Sequence, residues 1–256
     1  MTLVLTTEPN PGVRLLTLNR PEARNALSVE LRQALTNALA DAAQSDDVRV
    51  VVLTGGQKIF AAGADLREFA RTRPRDQYLR HIECHWNALT RFPKPLIAAV
   101  NGFALGGGFE MVLHADIIVA SDTASFGLPE VTLGFMPGGG GTQRVMRAIG
   151  KARAMRLLMT GDRIGSAEAL RLGLISEHVE GGDAIPSATA LAGRIAALPP
   201  IALRMIKEAA LTGVDAPLEA GLAFERRSSQ LLLDTDDLQE GIAAFLEKRP
   251  AEFRGQ

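Results

Sequence analysis

The sequence predicts an α/β fold with a covered sheet, followed by a helical C-terminal region. Three observations carry this. Strand-like and helix-like segments alternate from Val13 to about residue 185, the order that lays helices over a sheet. The strand segments are short, nearly continuous apolar runs, such as Val48-Arg-Val-Val-Val-Leu-Thr and Pro95-Leu-Ile-Ala-Ala-Val, as expected of buried strands. From Ala188 onward the pattern is helical, broken at Pro199-Pro200 and between Gly213 and Pro217. The 256 residues are long for one ordinary domain and short for two. The expected division is a core over 1–187 and a helical region over 188–256.

Taken in order, the chain enters its first strand almost at once. Val13-Arg-Leu-Leu-Thr-Leu-Asn is a strand that stops at Arg20-Pro21. A helix follows with Ser28 as its N-cap, and Leu27, Leu31, Leu35, Leu39 and Ala42 recur at helical spacing. The Val48 strand ends at Gly55-Gly56, and Ala61-Ala-Gly-Ala-Asp65 is a loop entering a short helix. An amphipathic helix runs from about Asp76 to Arg91. The Pro95 strand runs into a glycine-rich turn, a helix starts near Gly107, and Asp116-Ile-Ile-Val-Ala is a further strand. The glycine run Gly138 to Gly141 is closely flanked by patterned segments and is not a linker.

Composition narrows the function. Apolar residues make up 46% and charged residues 22% of the chain, ordinary for a globular protein. The net charge is −1, with 28 basic and 29 acidic residues, so the basic excess of a nucleic-acid binder is missing. Cys84 is the single cysteine, so no intramolecular disulfide forms, which fits a reducing compartment. The opening Met1-Thr-Leu-Val-Leu-Thr-Thr-Glu has neither a basic stretch nor a long apolar one. No apolar run approaches the roughly 20 residues of a membrane helix. The expected location is cytoplasmic, with no membrane and no nucleic acid as partner.

Several segments are candidates for chemistry. In Gly102-Phe-Ala-Leu-Gly-Gly-Gly-Phe-Glu, a strand ends and a helix begins where glycines leave the backbone uncovered. Such N–H groups suit a phosphate or a developing oxyanion. The segment is no Walker A loop and lacks the Rossmann spacing; a tight, closely packed turn accounts for the same glycines. Ala61 to Asp65 is a second such turn, and two turns together can aim two N–H groups at one oxygen. A plain turn capped by Asp65 is the simpler reading of it alone.

Glu110 follows the first turn, and Glu130 lies in Phe126-Gly-Leu-Pro-Glu, an irregular stretch after a strand. Singly, one is a helix-dipole partner and the other a solvated loop residue. Both, however, sit beside strand ends, where ligands bind in α/β proteins. If they face one dry pocket, their pKa values separate, one ionised and one protonated. His81 and His85 share a helix face but lack the His-Glu-x-x-His pattern and a third ligand, so no metal is expected. Cys84 and Trp86 read as core or pocket wall, and no Gly-x-Ser-x-Gly elbow occurs. Arg67, Arg71, Arg73, Arg75 and Arg80 are either solvated surface or phosphate contacts beside the Ala61–Asp65 turn.

Together these segments resemble the crotonase (enoyl-CoA hydratase/isomerase) superfamily from about Leu15 to Phe253. The motifs that carry it are Leu18-Asn-Arg-Pro-Glu-Ala-Arg-Asn-Ala-Leu, Phe60-Ala-Ala-Gly-Ala-Asp-Leu, Lys94-Pro-Leu-Ile-Ala-Ala-Val-Asn-Gly and Ala104-Leu-Gly-Gly-Gly-Phe-Glu. They continue with Phe126-Gly-Leu-Pro-Glu-Val-Thr-Leu-Gly, Met136-Pro-Gly-Gly-Gly-Gly-Thr-Gln-Arg and Glu240-Gly-Ile-Ala-Ala-Phe-Leu-Glu-Lys-Arg. The early and late motifs resemble bacterial hydratases acting on dehydroadipyl-CoA in phenylacetate breakdown, with a general short-chain enoyl-CoA hydratase as the alternative placement.

The resemblance implies a spiral of ββα units with C-terminal helices that assemble a trimer, often paired into a hexamer. It implies that the N–H groups of Ala64 and Gly107 form an oxyanion hole, and that Glu110 and Glu130 are the two hydratase glutamates. Arg24, Ala26, Ala62, Asp65 and Leu66 fall where the family wraps coenzyme A, with Arg67, Gly106 and Pro129 beside them. Phe245 and Lys248 match positions that reach a coenzyme A in an adjacent subunit. The implied activity is hydration of a 2-enoyl-CoA, with Δ3,Δ2-enoyl-CoA isomerisation as the same-fold alternative and RNA binding as the non-catalytic one. No cofactor is implied beyond the coenzyme A of the substrate. Gly139 and Ala115 depart from the family's usual alanine and cysteine, and neither departure is expected to touch the chemistry.

Overall fold

The computed structural model describes residues 2–73, 75–76 and 83–256. Arg80, His81 and the segment 77–82 of the expected Asp76–Arg91 helix lie outside the described residues.

The main sheet has six strands in the order β1-β2-β3-β4-β6-β9. These are β1 (Val4–Asn10), β2 (Val13–Leu18), β3 (Val50–Thr54), β4 (Leu96–Val100), β6 (Ile117–Ser121) and β9 (Glu177–Val179). β1 pairs antiparallel with β2, and every later pairing is parallel. The apolar runs have a direct cause. Val51, Leu53, Ala98, Val100 and Ile118 enter one apolar cluster, while Val50, Val52, Ile97, Ala99 and Val119 enter another. With both faces covered, alternation disappears from the sequence.

The first face packs on α1 (Val29–Gln44). Ser28 accepts the Leu31 N–H at its N-cap, and Leu31, Leu35, Leu39 and Ala42 are buried, as the spacing predicts. The second face packs on α8 (Ala184–Ala196), whose Ala184, Ala188, Ala192 and Ala196 form one buried stripe. Alanine at every fourth position lets the helix lie close to the strands. The expected division between 187 and 188 falls within this helix.

A second sheet of three strands has the order β5-β7-β8, formed by β5 (Phe103–Leu105), β7 (Ser125–Gly127) and β8 (Arg163–Gly165). The segment-by-segment reading contains no second sheet, because three-residue strands show no period. It stands beside α4 (Gly107–Val112) and the 3-10 turn Pro129–Leu133, which carry the two glutamates.

Further helices follow among the described residues. They are α2 (Leu66–Phe69), α3 (Glu83–Thr90), α5 (Gly141–Ile149) and α6 (Lys151–Thr160), followed by the short α7 (Ser166–Arg171). The chain closes with α9 (Pro200–Asp215), α10 (Leu218–Leu232) and α11 (Asp236–Glu247). α9 and α10 contain no buried residue, and Ile206, Leu218, Leu231 and Phe245 are exposed. Among the described residues no single helix is long and apolar enough to cross a membrane.

Candidate active site

The two glycine turns meet. The Ala61 segment runs along β5, with Ala61 N–H donating to the Phe103 carbonyl and Leu105 N–H donating to the Ala61 carbonyl. A Cβ placed on Gly63 would stand 3.6 Å from the Gly107 nitrogen, and one on Gly107 would stand 3.9 Å from the Ala64 nitrogen. Ala64 and Gly107 are therefore neighbours across the two turns. Gly107 is the first residue of α4, where N–H groups have no intrahelical partner. Gly106 before it has φ +51, a conformation that favours glycine. Packing explains Gly108 instead: a Cβ there would lie 2.5 Å from the Ala61 carbonyl oxygen. Close packing thus accounts for Gly108, and a positive φ for Gly106.

Glu110 is 3% exposed. Its Oε1 accepts the N–H groups of Gly139 at 2.6 Å and Gly141 at 2.8 Å. Burial raises its pKa, and the backbone donors of Gly141, Gly139 and Gly138 oppose that rise. Glu130 sits one residue into its 3-10 turn, after Pro129. It is partly buried rather than solvated, and its buried Oε2 has no partner among the described residues. Its Oε1 lies 3.1 Å from where a Gly106 Cβ would stand, which ties it to the glycine turn. Burial pushes the Glu130 carboxyl up to about 7; its backbone partly opposes this, and the Glu110 charge adds to it. The two carboxyls share one electrostatic environment but differ in partners. One is held by donors that favour an anion, and the other has an oxygen free to carry a proton.

The donors that hold Glu110 come from the Gly138–Gly141 run, to which the sequence reading gave no task. Gly139 in particular corrects an expectation: its departure from alanine does touch the site. Its N–H meets Glu110, its carbonyl lies 2.9 Å from His114 Nε2, and an added Cβ would lie 2.4 Å from the Trp86 ring. Trp86 is partly buried against the core, with its ring edge 3.8 Å from a Gly107 Cβ position. Cys84, in contrast, is exposed. His85 Nδ1 lies 3.0 Å from Thr36 Oγ1, and its metal-ligand companion His81 is outside the described residues. His114 stands in a sequence context with no signal of function, and only the fold reveals it.

Most of the expected coenzyme A residues form one patch. The Ala62 N–H donates to the Arg24 carbonyl, and Arg20 donates to both the Ala26 carbonyl and Asp65 Oδ2. Asp65 also caps α2 by accepting the N–H groups of Arg67 and Glu68, and its hydrogen bond from Arg20 holds its pKa down. Its side chain therefore has a structural task. Leu66 and Arg67 are exposed at the start of α2, and Arg67, Arg71 and Arg20 line a cleft of about 550 Å³. Gly106 and Pro129 lie beside the glutamates, Gly106 through its N–H to the Gly127 carbonyl. Phe245 and Lys248 are elsewhere. Phe245 is 83% exposed and lines an apolar groove with Ile201, Leu238 and Ile242, and Lys248 ends α11. The single chain does not bring these two to the patch.

The pattern of the enoyl-CoA hydratase/isomerase family matches residues 8–256. The chain belongs to this family. A 2,3-dehydroadipyl-CoA hydratase of Escherichia coli K12 is 45% identical over 253 residues, covering 95% of this chain and 96% of that one. A probable enoyl-CoA hydratase of Rhizobium meliloti is 46% identical, covering 99% and 98%. The crystal structure of an enoyl-CoA hydratase from Bacillus anthracis superposes with a TM-score of 0.94 at 39% identity, covering 99% and 100%. The fold is thus that of an enoyl-CoA hydratase/isomerase, and the chain is an enzyme of that family.

Proposed function

We propose that the enzyme adds water across the 2,3 double bond of a 2-enoyl-CoA to give a 3-hydroxyacyl-CoA. The single observation that carries this reading is the asymmetry of the glutamates: Glu110 is held by two backbone donors, and Glu130 has a pKa of about 7 and an oxygen with no partner among the described residues.

In this reading the thioester oxygen sits between the N–H groups of Ala64 and Gly107. Polarisation of the enoyl system makes C3 electrophilic. Ionised Glu110 takes a proton from water as the oxygen bonds to C3, and protonated Glu130 delivers a proton to C2. Proton exchange with solvent then resets the pair. Every proton has a carboxyl donor or acceptor and the developing charge has backbone donors, so the proposal invokes no metal or redox cofactor. Arg24, Ala26, Ala62, Asp65, Leu66 and Arg67 are proposed to line the coenzyme A path. Phe245 and Lys248 would serve a neighbouring subunit of a trimer or of paired trimers. A cytoplasmic location accompanies this reading.

The test offers trans-2-enoyl-CoA and cis-3-enoyl-CoA side by side, across acyl lengths and with one dicarboxylic member. The name of the Escherichia coli relative makes the six-carbon dicarboxylic thioester a necessary arm. Hydration of the trans-2 substrate as the faster reaction supports the proposal. Conversion of the cis-3 substrate without hydration would replace it with isomerisation.

A further inference from the structure

His114 lies just past α4 and is 8% exposed. Its ring stacks on Trp86, with centroids 5.7 Å apart and planes 18° apart. Nε2 lies 2.9 Å from the Gly139 carbonyl oxygen, and Nδ1 lies 3.0 Å from Thr90 Oγ1. A carbonyl oxygen only accepts, so Nε2 carries the proton and Nδ1 of the neutral ring accepts. The Thr90 hydroxyl also lies 3.0 Å from the Trp86 carbonyl, so its one proton is placed between two acceptors. The ring stays neutral: burial pushes its pKa down to about 4, and the Arg144 guanidinium adds to this. Among the described residues, the charged groups coupled to the cluster are Arg144 on α5, itself beside Arg147 and Asp215, and Glu110 on α4, coupled to Glu130 in the 3-10 turn.

Gly139 belongs to a run of four glycines, the residues that lose most freedom when fixed. It has no side chain to anchor itself. Its carbonyl is held by His114, its flank by the Trp86 ring, and its N–H meets Glu110 Oε1 at 2.6 Å. We propose that His114 is a positioning residue for Glu110, acting through Gly139: it pins the glycine loop so that the Gly139 N–H is aimed at the carboxylate. This rests on the reading of Glu110 as the base. Without the imidazole donor the Gly139 carbonyl is buried and unpaired, and the loop relaxes. Glu110 then loses stabilisation of its ionised form, while contacts to the coenzyme A portion remain.

The test uses the intact enzyme with His114→Leu, which removes the donor, and His114→Gln, which keeps an N–H. Thr90→Val, which removes the hydroxyl that meets Nδ1 together with its contacts to the Trp86 carbonyl and Arg144, is the second site should His114→Leu not fold. In His114→Leu, kcat is expected to fall about tenfold with KM nearly unchanged. The acid limb of kcat/KM is expected to move to higher pH, because a lost donor raises the Glu110 pKa. His114→Gln is expected to recover most of both, and Thr90→Val to show a smaller change of the same sign. A folded His114→Leu enzyme with the wild-type kcat and acid limb overturns the role, as does a His114→Gln enzyme no better than His114→Leu. If His114→Leu does not fold, wild-type kcat and acid limb in Thr90→Val overturn it. A wild-type enzyme that hydrates no enoyl-CoA overturns the base assignment itself, and this role with it.

Discussion

Gly139 and Trp86 fit each other: the glycine lies so close to the indole that a Cβ on it would stand 2.4 Å from the ring. The same glycine donates its N–H to Glu110. A contact that looks like packing therefore reaches the proposed base.

Gly139→Ala is expected to displace Trp86 or the loop. Forcing a methyl into such a contact costs ~1–3 kcal/mol, or about 2–4 °C in Tm per kcal/mol for a chain of this size. Turnover falls with it, because Glu110 loses alignment. Trp86→Leu combined with Gly139→Ala is expected to lose less than the sum of the single changes, since the clash is removed. Thermal melts and kcat for the four proteins check this; additive losses would contradict the fit.

Much of this architecture is legible in the sequence. Ser28 and the Leu31–Leu35–Leu39 spacing mark α1, and the apolar runs mark β3 and β4. The glycine turns mark where Ala64 and Gly107 lie, although a closely packed turn explains the same glycines and it is the run of family motifs that separates the two readings. The second sheet is not legible, since β5, β7 and β8 are three residues each. Neither is the Gly138–Gly141 cradle or His114. The cradle presents backbone N–H groups, which every residue type carries, and the His114 ring meets a backbone carbonyl, so no pair of side chains in the sequence announces either.

The Glu130 carboxyl makes stability depend on pH. Its folded pKa, about 7, lies above its ordinary value of 4.5. Ionising it in the folded chain carries a penalty that is absent while both states are protonated. Stability from this group is thus highest below about pH 4.5 and declines as pH rises through 7. Glu130→Gln removes the penalty. It is expected to raise Tm at pH 8 by a few degrees, for roughly 1 kcal/mol after allowance for partial exposure, with the gain vanishing near pH 4. Melting curves at both pH values check the sign.

The same shift shapes the rate. In the proposed mechanism Glu130 acts when protonated and Glu110 when ionised, so kcat/KM is expected to be bell-shaped. Its alkaline limb lies near pH 7 and its acid limb lies above 4.5, the ordinary value that burial raises for Glu110. The limbs belong to the coupled pair rather than to either residue. A profile flat from pH 6 to 9 would contradict the acid role of Glu130.

Phe245 is 83% exposed and the apolar groove beside it measures about 480 Å³. Proposed burial between subunits predicts a trimer or hexamer by light scattering at micromolar concentration. Lys248→Glu is expected to raise KM more than it lowers kcat, because a remote phosphate contact acts nearly equally along the reaction. A stable monomer, or an unchanged KM, would remove these residues from the coenzyme A site.

The central claim is that both glutamates transfer protons, and turnover of Glu130→Gln on a trans-2-enoyl-CoA measures it most directly. Glutamine keeps the size but cannot release a proton, so kcat is expected to fall by ~10²–10⁴ with KM little changed. Glu110→Gln, whose Oε1 can still accept the Gly139 and Gly141 N–H groups, should fall similarly while remaining folded. The double change should lose far less than the product of the single losses. A Glu130→Gln enzyme that hydrates at close to the wild-type rate would contradict the account and leave Glu110 as the single acting carboxylate.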